Sequence, residues 1–153
     1  METLFKPTGV IVADDDPLIR SILREKLGAL GQEVFLANNG LEAVAIAYQM
    51  RALLVILDIG MPRLDGIQAC VQIRELPGYA STPIVMLTFD DTARAQSEAS
   101  RAGATMFLAK PFGSATLMLA LSRFLPMEPA TREAIRQTAI QISGRKAFTK
   151  MRS

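Results

Sequence analysis

The chain has 153 residues and a formal net charge of +2, with no histidine, no tryptophan and a single cysteine, Cys70. The missing histidines exclude a Ser-His-Asp or Cys-His catalytic centre and a Cys/His zinc site, and one cysteine excludes a disulfide within the chain. Half of the residues are apolar, which favours a packed domain over a disordered chain and leaves carboxylates, hydroxyls, lysines and backbone groups for any chemistry.

The first predicted element is a buried strand over Val10–Ala13, which ends in a run of three acids, Asp14–Asp16. The pair Asp16-Pro17 predicts the start of a helix, with an aspartate as N-cap and proline at the first helical position. Apolar residues then recur at helical spacing as far as Leu30. Gly31 is predicted to end this helix.

A second short strand is predicted over Glu33–Ala37, followed by a turn and a helix over Leu41–Met50. The next apolar run, Leu53–Leu57, is apolar on both faces, as strands in the middle of a parallel sheet are. That run is followed directly by Asp58.

The third helix is predicted after Asp65-Gly66, and Leu76–Gly78 breaks it. A fourth strand covers Pro83–Leu87, with proline at the start of the strand, where it is tolerated. A fourth helix is predicted over Thr92–Arg101. It is poor in large apolar residues.

A fifth strand over Thr105–Ala109 ends at Lys110-Pro111, and a fifth helix follows over Ser114–Leu125. Five successive strand–helix units predict an α/β fold, with a doubly wound parallel sheet and helices on both faces. The fifth helix is apolar nearly all round, so it needs cover on more than one side. We expect either the tail of the same chain or a second subunit, giving a homodimer, to supply that cover.

The tail differs from the rest of the chain in charge. Residues 1–125 hold 11 Lys/Arg and 13 Asp/Glu, whereas residues 126–153 hold 6 and 2. After a break at residues 126–129, an amphipathic helix is predicted over Thr131–Ile142, ending at Gly144 before a frayed end. We interpret the basic tail as a solubilising extension rather than a nucleic-acid site.

The sequence has no sign of a membrane or secretory address. Met1–Lys6 shows no basic-then-apolar pattern of a signal peptide, and apolar stretches such as Leu53–Leu57 are too short to cross a bilayer. We therefore expect a cytoplasmic protein with no membrane attachment.

Charged or hydroxyl side chains follow four of the five predicted strands: Asp14–Asp16, Asp58, Thr88 and Lys110. In open α/β sheets, functional residues gather at the carboxyl ends of the strands. If the first and third strands are neighbours, their carboxylates converge, and Mg²⁺ would relieve the repulsion between them. A carboxylate beside Mg²⁺ can attack phosphorus, while a lysine and a hydroxyl stabilise the transferred phosphoryl group.

These residues and their surroundings resemble the CheY-like receiver domain of two-component response regulators. The matching segments are Val12–Pro17, Leu57–Gly66, Leu87-Thr88 and Phe107–Phe112. The resemblance covers about residues 8–125, with 126–153 as an extension. It implies a flavodoxin-like fold with strand order 2-1-3-4-5.

The resemblance also implies residue roles on the acidic side of the site. Asp58 is expected to accept the phosphoryl group from a histidine kinase or a histidine phosphotransfer protein. Asp14, Asp15 and Asp58 are expected to hold Mg²⁺, with the backbone carbonyl of Gly60 as a further ligand. No enzymatic activity is expected beyond this self-phosphorylation and self-dephosphorylation.

On the other side of the site, Thr88 is expected to be the switch hydroxyl and Lys110, before a cis proline, the lysine that pairs with the phosphate. Phe107 corresponds to the aromatic switch. The resemblance implies that phosphorylation alters the surface formed by the fourth helix, fifth strand and fifth helix, which binds a downstream protein. Residues 126–153 are too short for a DNA-binding output domain, so none is expected in this chain.

Two positions depart from the usual pattern and keep an alternative open. Phe89 follows Thr88 where a small residue is usual, and Gly60 places no side chain over the phosphate. Both affect the expected lifetime of the phosphate. The alternative is an interaction module that keeps the fold without phosphorylation. An enzyme is disfavoured, since Gly60 stands where phosphohydrolases of the haloacid dehalogenase type need an aspartate.

Overall fold

The structure is a computed structural model that describes residues 6–152, with side chains described as far as Ile142. Within this range the chain forms five strands and six helices. They are β1 (Val10–Ala13), α1 (Pro17–Ala29), β2 (Val34–Ala37), α2 (Gly40–Gln49), β3 (Leu54–Asp58), α3 (Gly66–Glu75), β4 (Ile84–Thr88), α4 (Ala93–Ala102), β5 (Met106–Ala109), α5 (Ser114–Ser122) and α6 (Pro129–Arg152).

The five strands form one parallel sheet in the order β2-β1-β3-β4-β5. This order confirms the predicted doubly wound sheet. From β1 the chain adds β2 on one side and β3 on the other. At such a switch point between β1 and β3, a crevice forms at the carboxyl ends of the strands. In this register Ala13 pairs with Leu57, so Asp14 and Asp58 follow paired positions on neighbouring strands.

Alternate residues of the strands pack on opposite faces of the sheet. The face that carries Ile11, Val55 and Met86 forms one buried cluster with small side chains of α2, α3 and α4. The alternating neighbours in β1, β3 and β4 are also fully buried, and α1 supplies the buried Leu23 and Leu27. Strands buried on both faces explain the continuous apolar runs in the sequence.

Four helices begin at side-chain caps that the sequence signals. Asp16 accepts from the backbone N–H of Leu18 before Pro17, as predicted. The other three caps are Asn39, Asp65 and Thr92, and Asp65 forms a reciprocal capping box with Gln68. Each cap satisfies backbone donors that a helix leaves unpaired at its start, and so fixes where the helix begins after its loop.

The first residues of α2 and α3 are glycines that approach neighbouring backbone closely. A Cβ atom at Gly40 would lie 2.1 Å from the carbonyl oxygen of Leu64, and one at Gly66 would lie 2.3 Å from that of Asp58. Only glycine allows both approaches. The loop between β3 and α3 is therefore held closely by the starts of two helices.

Arg74, in the last turn of α3, joins α3 to two neighbouring connections. Its guanidinium donates to the carbonyl oxygen of Gly103 at the end of α4, and to those of Tyr79 and Thr82 before β4. It also lies 3.3 Å from the hydroxyl of Thr105. These bonds satisfy carbonyl groups at a helix end and in a loop.

The chain divides between Pro111 and Phe112 into two compact units, of which the second contains α5 and α6. Within it, α5 packs against α6, and the guanidinium of Arg132 donates to the carbonyl oxygens of Ser122 and Leu125. The tail of the same chain therefore covers part of α5, one of the two predicted alternatives. The predicted domain boundary at residue 125 stays a prediction.

The prediction that Gly144 ends the last helix was wrong, since α6 continues to Arg152. A glycine inside a helix costs only about 1 kcal/mol relative to alanine. Helix-forming residues on both sides of Gly144 outweigh that cost. Among the described residues, none of the helices combines the length and apolar character needed to cross a membrane.

Candidate functional site

The sheet brings the predicted residues to one edge. Asp14 follows β1, Asp58 and Thr88 are the last residues of β3 and β4, and Lys110 follows β5. Because these four strands are adjacent and parallel, their carboxyl ends lie side by side. Asp14, Asp58, Thr88 and Lys110 are all buried, with at most 8% of each residue exposed.

Three carboxylates meet at this edge. Asp14, Asp15 and Asp58 each offer an oxygen atom, and these atoms lie within 4.8 Å of one another. Asp14 and Asp58 are buried, whereas Asp15 is exposed. Such a set of hard oxygen donors, closed on one side and open on the other, fits a divalent cation that keeps part of its water shell, as Mg²⁺ does.

Lys110 lies between two of these acids. Its Nζ atom lies 2.7 Å from Oδ2 of Asp14 and 3.3 Å from Oδ1 of Asp58. Burial disfavours the charged ammonium, but the hydrogen bond to Asp14 and the charge of Asp58 outweigh this effect, so the pKa of Lys110 is raised. The lysine is therefore held as a cation beside the carboxylate of Asp58.

Of the groups at this site, Asp58 carries the charge that its surroundings disfavour. Burial, with the nearby charge of Asp14, raises the pKa of Asp58 from 3.8 to about 6, against the opposing effect of Lys110. The backbone N–H of Gly60 lies 3.4 Å from Oδ1 of Asp58, at the outer limit of a hydrogen bond. An acid whose charge is poorly compensated in this way is typical of functional sites.

Thr88 and Phe107 lie on the adjacent strands β4 and β5. The hydroxyl oxygen of Thr88 accepts a hydrogen bond from the backbone N–H of Asp90 at 3.0 Å. Phe107, in β5, pairs in register with Met86 and is half-buried against the core. The peptide bond between Lys110 and Pro111 is cis, as predicted.

Besides Lys110, two other groups hold Asp14 in place. The backbone N–H of Asp16 donates to Oδ1 of Asp14 at 2.9 Å, and the guanidinium of Arg20 donates to the backbone carbonyl of Asp14 at 2.7 Å. The sequence pattern missed Arg20. Arg20 lies one turn into α1, where the sequence gives no reason to distinguish it from a surface arginine. Its contact with Asp14 depends on the angle at which α1 leaves the sheet.

Phe89 also belongs to this edge. Its ring centroid lies 5.3 Å from Nζ of Lys110, although 76% of the residue is exposed. The sequence indicated a bulky side chain near the site but held no signal that its ring lies over the lysine.

A comparison with protein families decides the relationship. The profile described as response regulator receiver domain matches residues 10–122. The chain belongs to this family. The match includes every predicted site residue, from Asp14 to Lys110.

Individual relatives agree with the family. The receiver domain is 36% identical over 119 residues to response regulator MprA of Mycobacterium sp. strain KMS, covering 78% of this chain and 51% of the relative. The chain thus spans about half the length of that protein. It is also similar to chemotaxis protein CheY4 of Vibrio cholerae, with 35% identity, a TM-score of 0.74, and coverage of 78% of this chain and 100% of the other.

A third relative bears on the acidic cluster. The receiver domain of sensor histidine kinase PA1611 from Pseudomonas aeruginosa PAO1 has 29% identity and a TM-score of 0.71, with coverage of 78% of this chain and 98% of that one. Its crystal structure has a magnesium ion coordinated in the active site cleft.

Proposed function

We propose that this receiver domain accepts a phosphoryl group on Asp58 from a histidine kinase or a histidine phosphotransfer protein, with Mg²⁺ bound at the acidic cluster. The observation that carries the proposal is the position of Lys110, whose ammonium contacts both Asp14 and Asp58 in a buried site. The site therefore holds a carboxylate and a fixed positive charge within contact distance, which supports phosphoryl transfer to Asp58.

The side chains support phosphoryl transfer in the following way. A carboxylate oxygen of Asp58 attacks phosphorus, the bond from phosphorus to the donor's histidine nitrogen breaks, and an acyl phosphate forms on Asp58. Lys110 stabilises the charge on the transferred oxygens, and the hydroxyl of Thr88 donates to one of them once it turns toward Asp58. A magnesium ion bound by Asp14, Asp15, Asp58 and the carbonyl of Gly60 would supply further charge neutralisation.

The consequence of phosphorylation belongs to the same proposal. We propose that Thr88 and Phe107 act as the switch, and that the altered surface binds a downstream protein. The hydroxyl of Thr88 is occupied as an acceptor by Asp90, so its movement toward a phosphate would release the backbone at Asp90. The binding surface formed by the fourth helix, fifth strand and fifth helix stays a prediction, as does a cytoplasmic location.

The test is phosphorylation by a small phosphodonor. Incubation with acetyl phosphate and Mg²⁺ should add one phosphoryl group to the peptide that contains Asp58, measured by mass spectrometry. Asp58→Asn should abolish the gain, and removal of Mg²⁺ by a chelator should suppress it. The matched control is Asp91→Asn, an exposed acid in the loop before α4, which should be labelled like the wild type. Label retained in Asp58→Asn would refute the proposal.

The alternative is a module whose binding does not depend on phosphate, and one observation favours it. The ring of Phe89 lies over Lys110 on the approach to the site. Measuring the affinity of a captured partner with and without beryllofluoride, a phosphoryl mimic, distinguishes the two functions. A change in affinity supports phosphorylation-dependent switching, and equal affinity supports the alternative.

A homodimer formed through α5 and α6 is a further proposal. Large apolar side chains stay exposed on both helices even though the two helices pack together. They are Leu119, Ile140 and Ile142. Sedimentation equilibrium of the wild type and of Ile140→Glu tests it: a dimer that the substitution weakens supports the proposal, and a wild-type monomer refutes it.

A further inference from the structure

A cavity lies at the edge of the sheet opposite the candidate site. It has a volume of about 580 Å³ and is formed where the chain enters β1 and β3 and where it leaves α2 and α3. That volume is within the range of small-molecule sites. Among the described residues, no acid lines the cavity. Its lining combines apolar groups with two cationic side chains and includes Lys6, Tyr48, Met50, Arg51, Leu76 and Pro77.

The side chain of Arg51 lacks a counter-charge among residues 6–142. Its Nε atom is buried and forms no hydrogen bond, and none of the ion pairs in this part of the chain includes Arg51. A buried donor without a partner costs free energy, and most buried polar groups are therefore satisfied by protein, water or a ligand. The unused donor indicates that a ligand completes this part of the cavity.

Gly78 fixes the position of this guanidinium. Its backbone φ is +87°, and a Cβ atom there would lie 2.6 Å from Nε of Arg51 and 2.8 Å from its Cζ. The guanidinium therefore packs directly on the backbone of the turn after α3, an approach that only glycine permits. A charged group that is already held in one position loses little further freedom when a ligand binds to it.

The backbone around Arg51 is held from two sides. The carbonyl oxygen of Arg51 accepts from the backbone N–H of Thr8 at 2.9 Å. The hydroxyl of Tyr79 donates to the carbonyl oxygen of Met50 and accepts from the backbone N–H of Ala52. Burial raises the pKa of the Tyr79 hydroxyl, so Tyr79 stays neutral near neutral pH and gives Arg51 no counter-charge. The segment is thus rigid, while its positive charge is left for another partner.

The surroundings favour a ligand with a single negative charge. Arg51 and Lys6 supply positive charge, whereas α2 and α3 end at the cavity and contribute the partial negative charge of helix C-termini. That partial charge disfavours a phosphate dianion. None of the helices in the described part of the chain begins at the cavity, where its backbone N–H groups would bind a phosphate. A carboxylate instead matches a guanidinium through two parallel hydrogen bonds.

We propose that this cavity binds a small organic acid, whose carboxylate pairs with Arg51 and whose apolar body packs against Met50 and Leu76. Tyr48 also lines the cavity and is 77% exposed, so its ring is free to pack against the same body. The inference is independent of the proposed function of Asp58, because the cavity and the acidic cluster lie at opposite edges of the sheet.

Titration with benzoate tests the site in the full chain at constant ionic strength. In amide proton–nitrogen NMR spectra, the signals of cavity residues such as Thr8 and Ala52 should shift and saturate. The dissociation constant should be about 1–10 mM, as suits a ligand of this size. Benzamide has nearly the same shape without the charge and should bind about tenfold more weakly. Shifts that do not saturate, or equal affinity for the two compounds, would overturn the inference.

Variants of Arg51 test the contact itself. Arg51→Met keeps the aliphatic stem, removes the donors and should weaken benzoate binding about tenfold. Arg51→Lys replaces the planar fork with a point charge and should fall between this variant and the wild type. The matched control is Arg94→Met, which removes an exposed arginine of α4 and should bind benzoate like the wild type. Unchanged affinity in Arg51→Met would overturn the inference, and the comparison with benzamide decides it should that variant not fold.

Phenyl phosphate distinguishes a carboxylate ligand from a phosphate ligand. At the cavity it should bind more weakly than benzoate, because the ends of α2 and α3 disfavour a second negative charge. Tighter binding of phenyl phosphate there would refute the assignment of a carboxylate. Benzoate shifts confined to the signals around Lys110 would place the anion at the other edge of the sheet and would also refute the inference.

Discussion

Lys110 connects carboxylates that follow two neighbouring strands, and its own strand contributes neither of them. Asp14 follows β1, Asp58 ends β3, and the lysine arrives from beyond β5. The pairing therefore exists only when the sheet is assembled. Removing Lys110 from this buried group would leave two carboxylates without a counter-charge.

The raised pKa of Asp58 makes stability depend on pH in a definite direction. Because burial and Asp14 raise that pKa from 3.8 to about 6 in the folded protein, the folded state disfavours the charged carboxylate. The resulting stabilisation is complete below the unfolded pKa and is lost as pH rises through about 6. At pH 7.5 without Mg²⁺, the charged Asp58 should therefore destabilise the fold.

Replacing Asp58 with asparagine removes that charge. In the presence of a chelator, Asp58→Asn should raise the free energy of unfolding at pH 7.5 by about 1–2 kcal/mol, after allowance for solvent screening, and should change it little at pH 4. Urea unfolding at the two pH values measures both differences. Asp91→Asn serves as the control and should have no effect at either pH. A destabilised Asp58→Asn at pH 7.5 would contradict the prediction.

At the scale of residues, sequence identified the groups but not their contacts. Asp14, Asp58, Thr88 and Lys110 were predicted from their positions after strands, because strand ends of a parallel sheet converge. The bond from Arg20 to Asp14 and the ring of Phe89 over Lys110 were not predictable. Both depend on the angle of a helix or loop, which residue spacing does not record.

Among the elements, α3 and the two connections around it depend on Arg74. One guanidinium satisfies three carbonyl groups, those of Gly103, Tyr79 and Thr82. These carbonyls lie at the end of α4 and in the loop before β4. Arg74 thus links α3 to the end of α4 and to the loop before β4.

Arg74→Met keeps the aliphatic stem and removes the donors. It should lower the free energy of unfolding by about 2–4 kcal/mol, because buried or half-buried carbonyls lose hydrogen bonds to a charged group. Denaturant unfolding measures the loss. The control is Arg94→Met, whose ion pair with Glu98 is largely exposed and should be worth less than about 0.5 kcal/mol. Equal effects of the two substitutions would contradict the role given to Arg74.

Sequence predicted the elements best where a local signal marks their ends. The caps at Asp16 and Asp65 and the apolar runs of β1 and β3 are such signals, and the structure confirms them. The end of α6 was misplaced, because a single glycine has a small local cost that the rest of the helix overrides. Tertiary contacts such as those of Arg74 leave no periodic pattern along the chain.

For the molecule as a whole, Mg²⁺ should act as a stabilising ligand. Three carboxylate oxygens within 4.8 Å repel one another, and a cation that binds only the folded protein relieves that repulsion. Free Mg²⁺ at ten times its dissociation constant should stabilise the fold by about 1.4 kcal/mol. Thermal unfolding with increasing Mg²⁺ should show a rising midpoint.

Two variants show whether the effect of Mg²⁺ comes from the acidic cluster: Asp15→Asn changes the cluster, and Asp91→Asn is the control. Asp15 is exposed, so its replacement should disturb the fold little while removing one ligand, and the rise in midpoint should require higher Mg²⁺. Asp91→Asn should behave like the wild type. A midpoint that does not respond to Mg²⁺ in the wild type would exclude a specific cation site.

The doubly wound parallel sheet was predictable because five strand–helix units and the right-handed crossover rule leave few topologies. The resemblance to receiver domains, rather than this rule, implied the order of the strands. The division of the chain between Pro111 and Phe112 was not predictable, because no change in composition marks that position. The resemblance to receiver domains placed a boundary near residue 125, which stays a prediction, and the charge distribution set the residues after it apart. Composition therefore identified the tail as distinct, but not its association with α5.

The two sides of the proposed phosphorylation site differ in how firmly they are held, because the glycines at the starts of α2 and α3 constrain only one of them. On one side, the backbone of Asp58 and of the loop after it packs so closely against Gly40 and Gly66 that neither position has room for a side chain. On the opposite side, the loop at Thr88 and Phe89 is held only by the hydrogen bonds of Asp90, and the one to the Thr88 hydroxyl can be lost when that hydroxyl turns to a phosphate. The side formed by the loop after Asp58 has no room to move. A phosphate added between the two sides would therefore displace the loop at Thr88 and Phe89.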